Sequence, residues 1–329
     1  MFRFLTFISV LFVFTPASGQ RVSKVAFYNV ENLFDTLDHP EKNDNEFLPD
    51  ARRMWNTEKY NQKLQHINQV LDSLGNPIIV GLCEIENKQV VQDLLDTGNR
   101  KDSYGIIHYE SLDQRGIDNA IIYNRHRLKM TESGIIRFDM PEPHSPSRDI
   151  VWAKFVAAEY VNHQDTILVM VNHWPSRRGG QVESEPKRLV AALAANSFID
   201  STIQANKDMK IVFMGDLNDD PGNRCPQFIA DHLEPMITEQ SGVFGGSHNY
   251  QTEWHIMDHI FVSKSFMKGK GINVVKKSGT IHSPDFLLTE YKGHTVPSRT
   301  FGGLRYFGGY SDHLPVSIDL KLPKVKSGG

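Results

Sequence analysis

Several short apolar runs in this chain begin or end with a group able to act on a phosphate. Asn29 follows the run 25–28, Glu84 follows 79–83, and Asn172-His173 follows 167–171. Asp216 and Asn218 follow 211–215, Asp258 precedes 259–262, and Asp312-His313 precedes 316–320. Glu84, Asp216 and Asp312 are hard oxygen donors of the kind Mg²⁺ prefers. A cation held this way neutralises phosphate charge and eases departure of the leaving group. Asn29 and Asn218 can orient a water or contact an oxyanion without adding charge. His173 and His313 can donate to a non-bridging oxygen or shuttle protons near neutral pH. Taken singly, each residue also has a plain structural reading. Glu84 reads as a cap or ion-pair partner, Asp258 as a salt-bridge partner and His173 as a core histidine beside Trp174. Asp216 and Asn218 read as turn residues ahead of Asp219-Asp220-Pro221-Gly222. Together, as a set, they point to chemistry.

The elements that must position these groups follow from periodicity. Residues 22–30 read as a strand, and 38–56, rich in Asp, Asn, Glu and Pro, as a loop. Tyr60, Leu64, Ile67, Leu71 and Leu74 recur at helical spacing, with Thr57 as the expected N-cap. The continuous apolar runs 78–83 and 211–214 have the pattern of buried strands, and 120–123, 167–171, 259–262 and 316–320 add more. Leu189, Leu193, Asn196, Ile199 and Ile203 mark one face of a helix expected to begin near Pro186. Residues 283–310, Gly- and aromatic-rich without a clear period, read as a long surface loop. Strand ends lie at a sheet rim, where rigid backbone holds side chains in place. Groups from distant parts of the chain can therefore converge on one cleft. Mixed strands and helices without a break in composition predict one α/β domain over 21–323, with a short tail at 324–329.

Composition sets the bounds. Hydrophobic residues make up 40% of the 329 residues and charged residues 23%, enough for an ordinary core. A net charge of −3 argues against holding nucleic acid by a global basic field, so phosphate recognition must be local. Residues 1–19 have the pattern of a secretory signal peptide: Arg3, an apolar stretch over 4–14, then Pro16-Ala17-Ser18-Gly19. The stretch is short for a membrane span, so a secreted or periplasmic protein with no stable membrane insertion after cleavage is expected. The two cysteines, Cys83 and Cys225, fit no zinc motif. An oxidising compartment permits a bond between them, and two free, partly buried thiols are the alternative.

The motifs Asn29-Val30-Glu31-Asn32-Leu33-Phe34, Leu82-Cys83-Glu84-Ile85-Glu86-Asn87 and Val171-Asn172-His173-Trp174-Pro175-Ser176 are followed by Gly215-Asp216-Leu217-Asn218-Asp219, Ile256-Met257-Asp258-His259-Ile260 and Ser311-Asp312-His313-Leu314-Pro315. In this order they resemble the endonuclease/exonuclease/phosphatase superfamily, the DNase I-like proteins, across nearly the whole chain after the leader. The resemblance implies a four-layer α/β/β/α sandwich and hydrolysis of a phosphate ester by metal-assisted, in-line water attack. It implies Mg²⁺ as cofactor, with Mn²⁺ or Ca²⁺ as alternatives. Glu84 would be the main metal ligand, supported by Asn29 and Asp312. Asp216 would position or deprotonate the water, and Asn218 would hold that water or a phosphate oxygen. His313 paired with Asp258 would polarise the phosphoryl group or act as base. His173 would protonate the leaving oxygen or stabilise the transition state.

Arg177, Arg178 and Arg188, with Lys187, cluster after His173. Guanidinium forks bind phosphate oxygens bidentately, so these arginines are the candidates for holding a nucleic-acid backbone or a second phosphate. Arg115 and Arg148 admit the same reading, and all admit a structural one. The aromatics of 283–310 are expected to pin that loop to the core rather than stack on bases. The first expectation for substrate is nucleic acid, as for an exported nuclease. A small or lipid phosphate is the second, and a non-catalytic ligand-binding member of the fold the third. No protein partner is predicted.

Overall fold

The computed structural model describes residues 22–141, 146–157, 165–268 and 271–322. The leader expected over 1–19 and the tail 324–329 lie outside the described residues. In chain order the first half has β1 (Val22–Leu33), α1 (Thr57–Ser73), β2 (Ile79–Ile85), α2 (Lys88–Thr97), β3 (Tyr104–His108), β4 (Asp118–Asn124), β5 (Leu128–Ile136), β6 (Ile150–Ala157) and β7 (Thr166–His173). Next come α3 (Gln181–Ala205), β8 (Lys210–Asp216), α4 (Arg224–Ala230), β9 (Leu233–Pro235), β10 (His248–Tyr250), β11 (Glu253–His255) and β12 (Asp258–Ser263). The rest is β13 (Asn273–Val274), β14 (Thr280–Ile281), β15 (Leu288–Tyr291), β16 (His294–Pro297), β17 (Phe301–Gly302), β18 (Arg305–Tyr306) and β19 (Val316–Lys321).

Two sheets carry the fold. One runs β13-β19-β1-β2-β4-β3, with β14 also on β19; the other runs β5-β6-β7-β8-β12-β9. They pack face to face, with α1 and α2 outside the first and α3 and α4 outside the second. Strand periodicity shows why. In β7, Ile167, Val169 and Val171 join the core between the sheets, while Leu168 and Met170 pack under α3. In β8, Val212 and Met214 face inward and Ile211 and Phe213 outward. Strands covered on both faces must be apolar at every position, which is why these runs show no alternation in sequence. Each such side chain contributes roughly 1.5–3 kcal/mol on full burial. At Gly81 the sheets approach closely: a Cβ there would lie 2.8 Å from Val171 Cγ2.

The local readings differ in three places. Asn56, not Thr57, caps α1: its side chain accepts from Lys59 N at 3.1 Å. The third helix begins at Gln181, five residues before Pro186, because the turn through Gly179 and Gly180, both at positive φ, sets its start. Its buried face is Ala191, Ala192, Ala195 and Ile199, while Leu193 is exposed. Small alanines let α3 sit close on the sheet, and this outweighs the larger apolar residues. Residues 283–310 are not irregular throughout but contain the hairpins β15–β16 and β17–β18. Phe301 is buried in a ring cluster with Phe47, Trp55 and Tyr306, so the segment is pinned to the core as its aromatics led us to expect. Cys83 and Cys225 are both free and buried.

Candidate active site

Strand direction brings the chemically able residues to one edge. β1 and β2 are parallel, as are β7 and β8, so their C-terminal ends coincide within each pair. β19 runs antiparallel to β1, and β12 antiparallel to β8, so these two deliver their N-terminal ends to the same edges. His173, Asp216 and Asp258 are direct register partners on β7, β8 and β12. They continue the inward-facing rows of Val171, Met214 and Ile260. The site is thus the polar end of the core between the sheets.

Glu84 reaches it by a different device. Gly81 and Cys83 share the inward parity of β2, so Glu84 would face outward in a regular strand. A register irregularity between Cys83 and Ile85, with Glu84 at φ 61°, re-aims it. A matching irregularity in β1 puts Glu31 and Asn32 at φ 52° and 57°. Asn32 N then donates to Glu84 Oε2 at 3.0 Å. Such conformations in residues with a Cβ are costly and persist only where surrounding contacts hold them.

Asp216 Oδ2 is the centre of the arrangement. It accepts from Asn29 Nδ2 at 3.0 Å and lies 3.6 Å from His173 Nε2 and 3.7 Å from His313 Nε2. Asp216 Oδ1 accepts from Asn218 N at 2.9 Å. Glu84 Oε1 is 3.5 Å from Asn29 Nδ2 and 3.8 Å from His173 Nε2. His313 Nδ1 sits 2.7 Å from Asp258 Oδ2, which also accepts from Ser247 Oγ at 2.6 Å. Ser311 Oγ accepts from His313 N and donates to Asn29 O, locking the last loop onto β1.

The electrostatics follow from this packing. Burial alone would lower His313, but Asp258 and Asp216 outweigh it and hold the imidazole well above its usual range. Burial raises Asp216, with Asp258 adding to the rise and His313 opposing it. A cation beside Asp216 would pull it back down. Burial, then Arg148 and Arg115, push His173 well below its usual value, so its ring is neutral. Burial would raise Asp312, yet His313 and Arg299 hold it below the usual carboxylate range.

The structure brings together Asn29, Glu84, His173, Asp216, Asp258 and His313. Asn218 stands beside them, its Nδ2 on Trp174 O at 3.0 Å. Asp312 is at the rim, where its Oδ2 takes Arg299 Nη2 at 2.8 Å. Asn29 Oδ1 accepts from Glu31 N at 3.0 Å, and the amide hydrogens face the two carboxylates. In this arrangement its amide group orients Glu84 and Asp216. The ligand atoms of Asp216, Asp258 and His313 lie within 4.8 Å of one another, and Glu84 adds a half-buried carboxylate. His313, charged and paired with Asp258, offers no lone pair, so the hard oxygen donors here that suit a small divalent cation are the carboxylates of Asp216 and Glu84.

Two of the expected phosphate-binding arginines are turned into the fold. Arg188 is 0% exposed, with Nε 2.9 Å from Asp219 Oδ2 and Nη1 donating to Ser184 Oγ at 2.8 Å. Arg177 donates to Asn218 O at 2.8 Å and to Asp220 Oδ2 at 3.0 Å. The acidic stretch that follows Asp216 has drawn both in. Arg178 is exposed. Arg148 proves to be a buried support: it pairs with Asp113 and donates to Trp174 O at 2.9 Å, the carbonyl that also holds Asn218. Ser247 and His248, at this edge, carried no sequence signal. Buried Lys63 donates to Thr300 Oγ1 at 2.6 Å and Tyr310 O at 2.5 Å, while Glu31 accepts from Thr300 N at 2.6 Å, so both clasp the loop bearing Arg299.

No curated protein matches the sequence significantly. Solved structures share the fold. An endonuclease/exonuclease/phosphatase family protein from Bacteroides thetaiotaomicron aligns with TM-score 0.58 at 16% identity, over 93% of this chain and 100% of that one. The human Nocturnin catalytic domain with bound sulfate gives 0.58 at 17%, over 92% and 95%. A mannosyl-6-phosphatase from B. thetaiotaomicron gives 0.58 at 16%, over 91% and 99%. The sequence profile of the endonuclease/exonuclease/phosphatase family matches residues 24–322, and the chain belongs to that family.

Proposed function

We propose that this chain is a divalent-cation-dependent phosphoesterase that hydrolyses its substrate by direct attack of water. Members of the family are hydrolases acting on phosphoester bonds. The observation that carries the reading is the surroundings of Asp216 Oδ2, with Asn29 at 3.0 Å, His173 at 3.6 Å and His313 at 3.7 Å. A carboxylate so held can orient a water and take its proton. The cationic His313, backed by Asp258, neutralises charge on a phosphoryl oxygen. His173, neutral at its buried position, donates to a second oxygen or to the leaving group. Asn218 holds the water or a phosphate oxygen. Glu84, with Asp312 at the rim, would hold Mg²⁺, and Mn²⁺ or Ca²⁺ also accept oxygen ligands. The bound cation supplies neutralisation of the phosphate charge and lowers the cost of the departing oxygen.

For the substrate, a small, sugar or lipid phosphate ester fits best. Arg177 and Arg188 serve the fold, and the net charge of −3 adds no general attraction for a polyanion. The nuclease reading is second, favoured by His173 and the exposed Arg178. Purified protein with Mg²⁺ is offered plasmid DNA, RNA, a sphingolipid and soluble phosphomonoesters. Release of inorganic phosphate without strand cleavage supports the first reading; nicking of DNA supports the second. A failure to turn over any of them, with or without EDTA, counts against both. Export through the leader 1–19 is proposed as well. Protein recovered from the periplasm or medium should lack that segment by intact mass.

A further inference from the structure

One imidazole at the same edge belongs to none of the roles above. His248 and His313 form an antiparallel β-bridge, and Leu314 N donates to Ser247 O at 2.7 Å. Directly opposed residues of such a bridge project to the same face. The pairing therefore seats the His248 ring against His313, with centroids 4.6 Å apart at 40°. Side-chain ligand atoms of His248, Asp312 and His313 all fall within 4.8 Å of one another. Yet Nδ1 of His248 is shut off from solvent and has no hydrogen-bond partner among the described residues. Buried N–H groups without an acceptor are rarer than acceptors left short of a donor. The ring proton is accordingly assigned to Nε2, the nitrogen left to make an outward contact. Beside it, Arg299 covers the charge of Asp312 at 2.8 Å, so an anion approaching this flank does not meet a bare carboxylate.

We propose that His248 is a substrate-contacting residue, donating from Nε2 to a non-bridging oxygen of the phosphate ester on the side of the cleft opposite His173. The inference rests on the phosphoesterase reading, which it deepens. His173 and His248 then flank the phosphoryl group, with the charged His313 between them. The hairpin β10–β11, which carries His248, becomes part of the binding site.

The test compares wild type, H248F and H248Q with Mg²⁺. Phenylalanine keeps the ring packed on His313 but has no donor; glutamine restores an amide N–H near the Nε2 position. Phosphate-ester turnover is measured together with inorganic-phosphate binding, followed in all three proteins by the His313 ring ¹⁵N resonances and in the wild type also by those of His248. Phosphate should shift the Nε2 resonance in the wild type. H248F should lose about 10- to 100-fold in kcat/KM and in phosphate affinity, the scale of one hydrogen bond to a charged group. H248Q should stay within about fivefold, and thermal stability should hold in both. Unchanged phosphate affinity and kcat/KM in H248F would overturn the assignment. So would equal losses in both variants with a drop in melting temperature, because that is the signature of packing. If no ester is turned over but phosphate still shifts His248, the phosphoesterase reading fails and the anion contact stands. If turnover is normal and His248 is silent, the reverse holds.

Discussion

His313 Nδ1 and Asp258 Oδ2 lie 2.7 Å apart in the core edge, joined across 55 residues of chain. The pair makes stability depend on pH. Asp258 and Asp216 raise the folded value of His313 well above its usual range despite burial, while in the unfolded chain it titrates near ~6.5. A raised folded value gives stabilisation that is complete below the unfolded value and fades as pH rises through the folded one. Metal-free protein should therefore lose melting temperature on the alkaline side of about pH 6.5, and Asp258→Asn should flatten that slope. Thermal scans in EDTA, with the His313 ring followed by NMR, give the readout. Parallel slopes in the two proteins would remove the pair from the account. Turnover by Asp258→Asn should fall about 100-fold or more, since the imidazole loses both its orientation and its charge partner.

Glu84 is half-buried at φ 61°, and its carboxylate accepts from Asn32 N at 3.0 Å, a bond that a side-chain amide oxygen can also accept. Glu84→Gln should cut turnover by at least about 100-fold and weaken Mg²⁺ or Mn²⁺ binding, with the melting temperature little changed. Titration calorimetry checks the affinity. EDTA should abolish turnover and excess Mg²⁺ restore it. A Glu84→Gln protein with wild-type cation affinity would move the metal site elsewhere.

Arg188 and Arg178, ten residues apart, should behave oppositely. Arg188 is sealed in with Asp219, whose other cation, Arg177, stands farther off at 3.5 Å, so Arg188→Ala removes the nearer partner of a buried carboxylate and should destabilise by up to about 3–5 kcal/mol in denaturant unfolding. Arg178→Ala should leave stability unchanged within about 0.5 kcal/mol. On a nucleic-acid substrate, Arg178→Ala should lower the salt dependence of KM. An unaltered salt slope would confine Arg178 to the solvated surface.

Burial pushes the Cys225 thiol up to about 12, with Asp219 adding to the rise, and burial likewise raises Cys83 well above its usual value. Thiolate is the reactive form, so neither cysteine should be alkylated by iodoacetamide in the native protein at pH ~8. Both should react after denaturation without prior reduction. Mass spectrometry reads the adducts, and a requirement for reductant would reveal a bond between the two.

Much of this protein was legible as a string. Strands buried on both faces must be apolar at every position, so the runs ending at Asn29, His173 and Asp216, and those beginning at Asp258 and after His313, announced both the strands and the polar groups at their ends. The order of the motifs then carried the family. Helix details were less legible. Leu193 looked like core and Ala192 did not, because sequence periodicity weighs side-chain size and ignores how closely a helix can approach a sheet.

What only the tertiary structure decided was direction and partnership. Glu84 has the wrong strand parity for the cleft, and a bulge too local to read in the sequence turns it inward. Asn29 presents its amide hydrogens rather than its oxygen because Glu31 N claims the oxygen. Arg177 and Arg188 are the right residues for phosphate but fall beside Asp219 and Asp220, and proximity decides which anion a guanidinium meets. His248 carries no motif and reaches His313 through a backbone bridge between segments 65 residues apart. Residue types and order determine which elements form and which chemistry is available. Which atom of each side chain faces the cleft is set by pairing between distant strands, and that is a property of the folded chain alone.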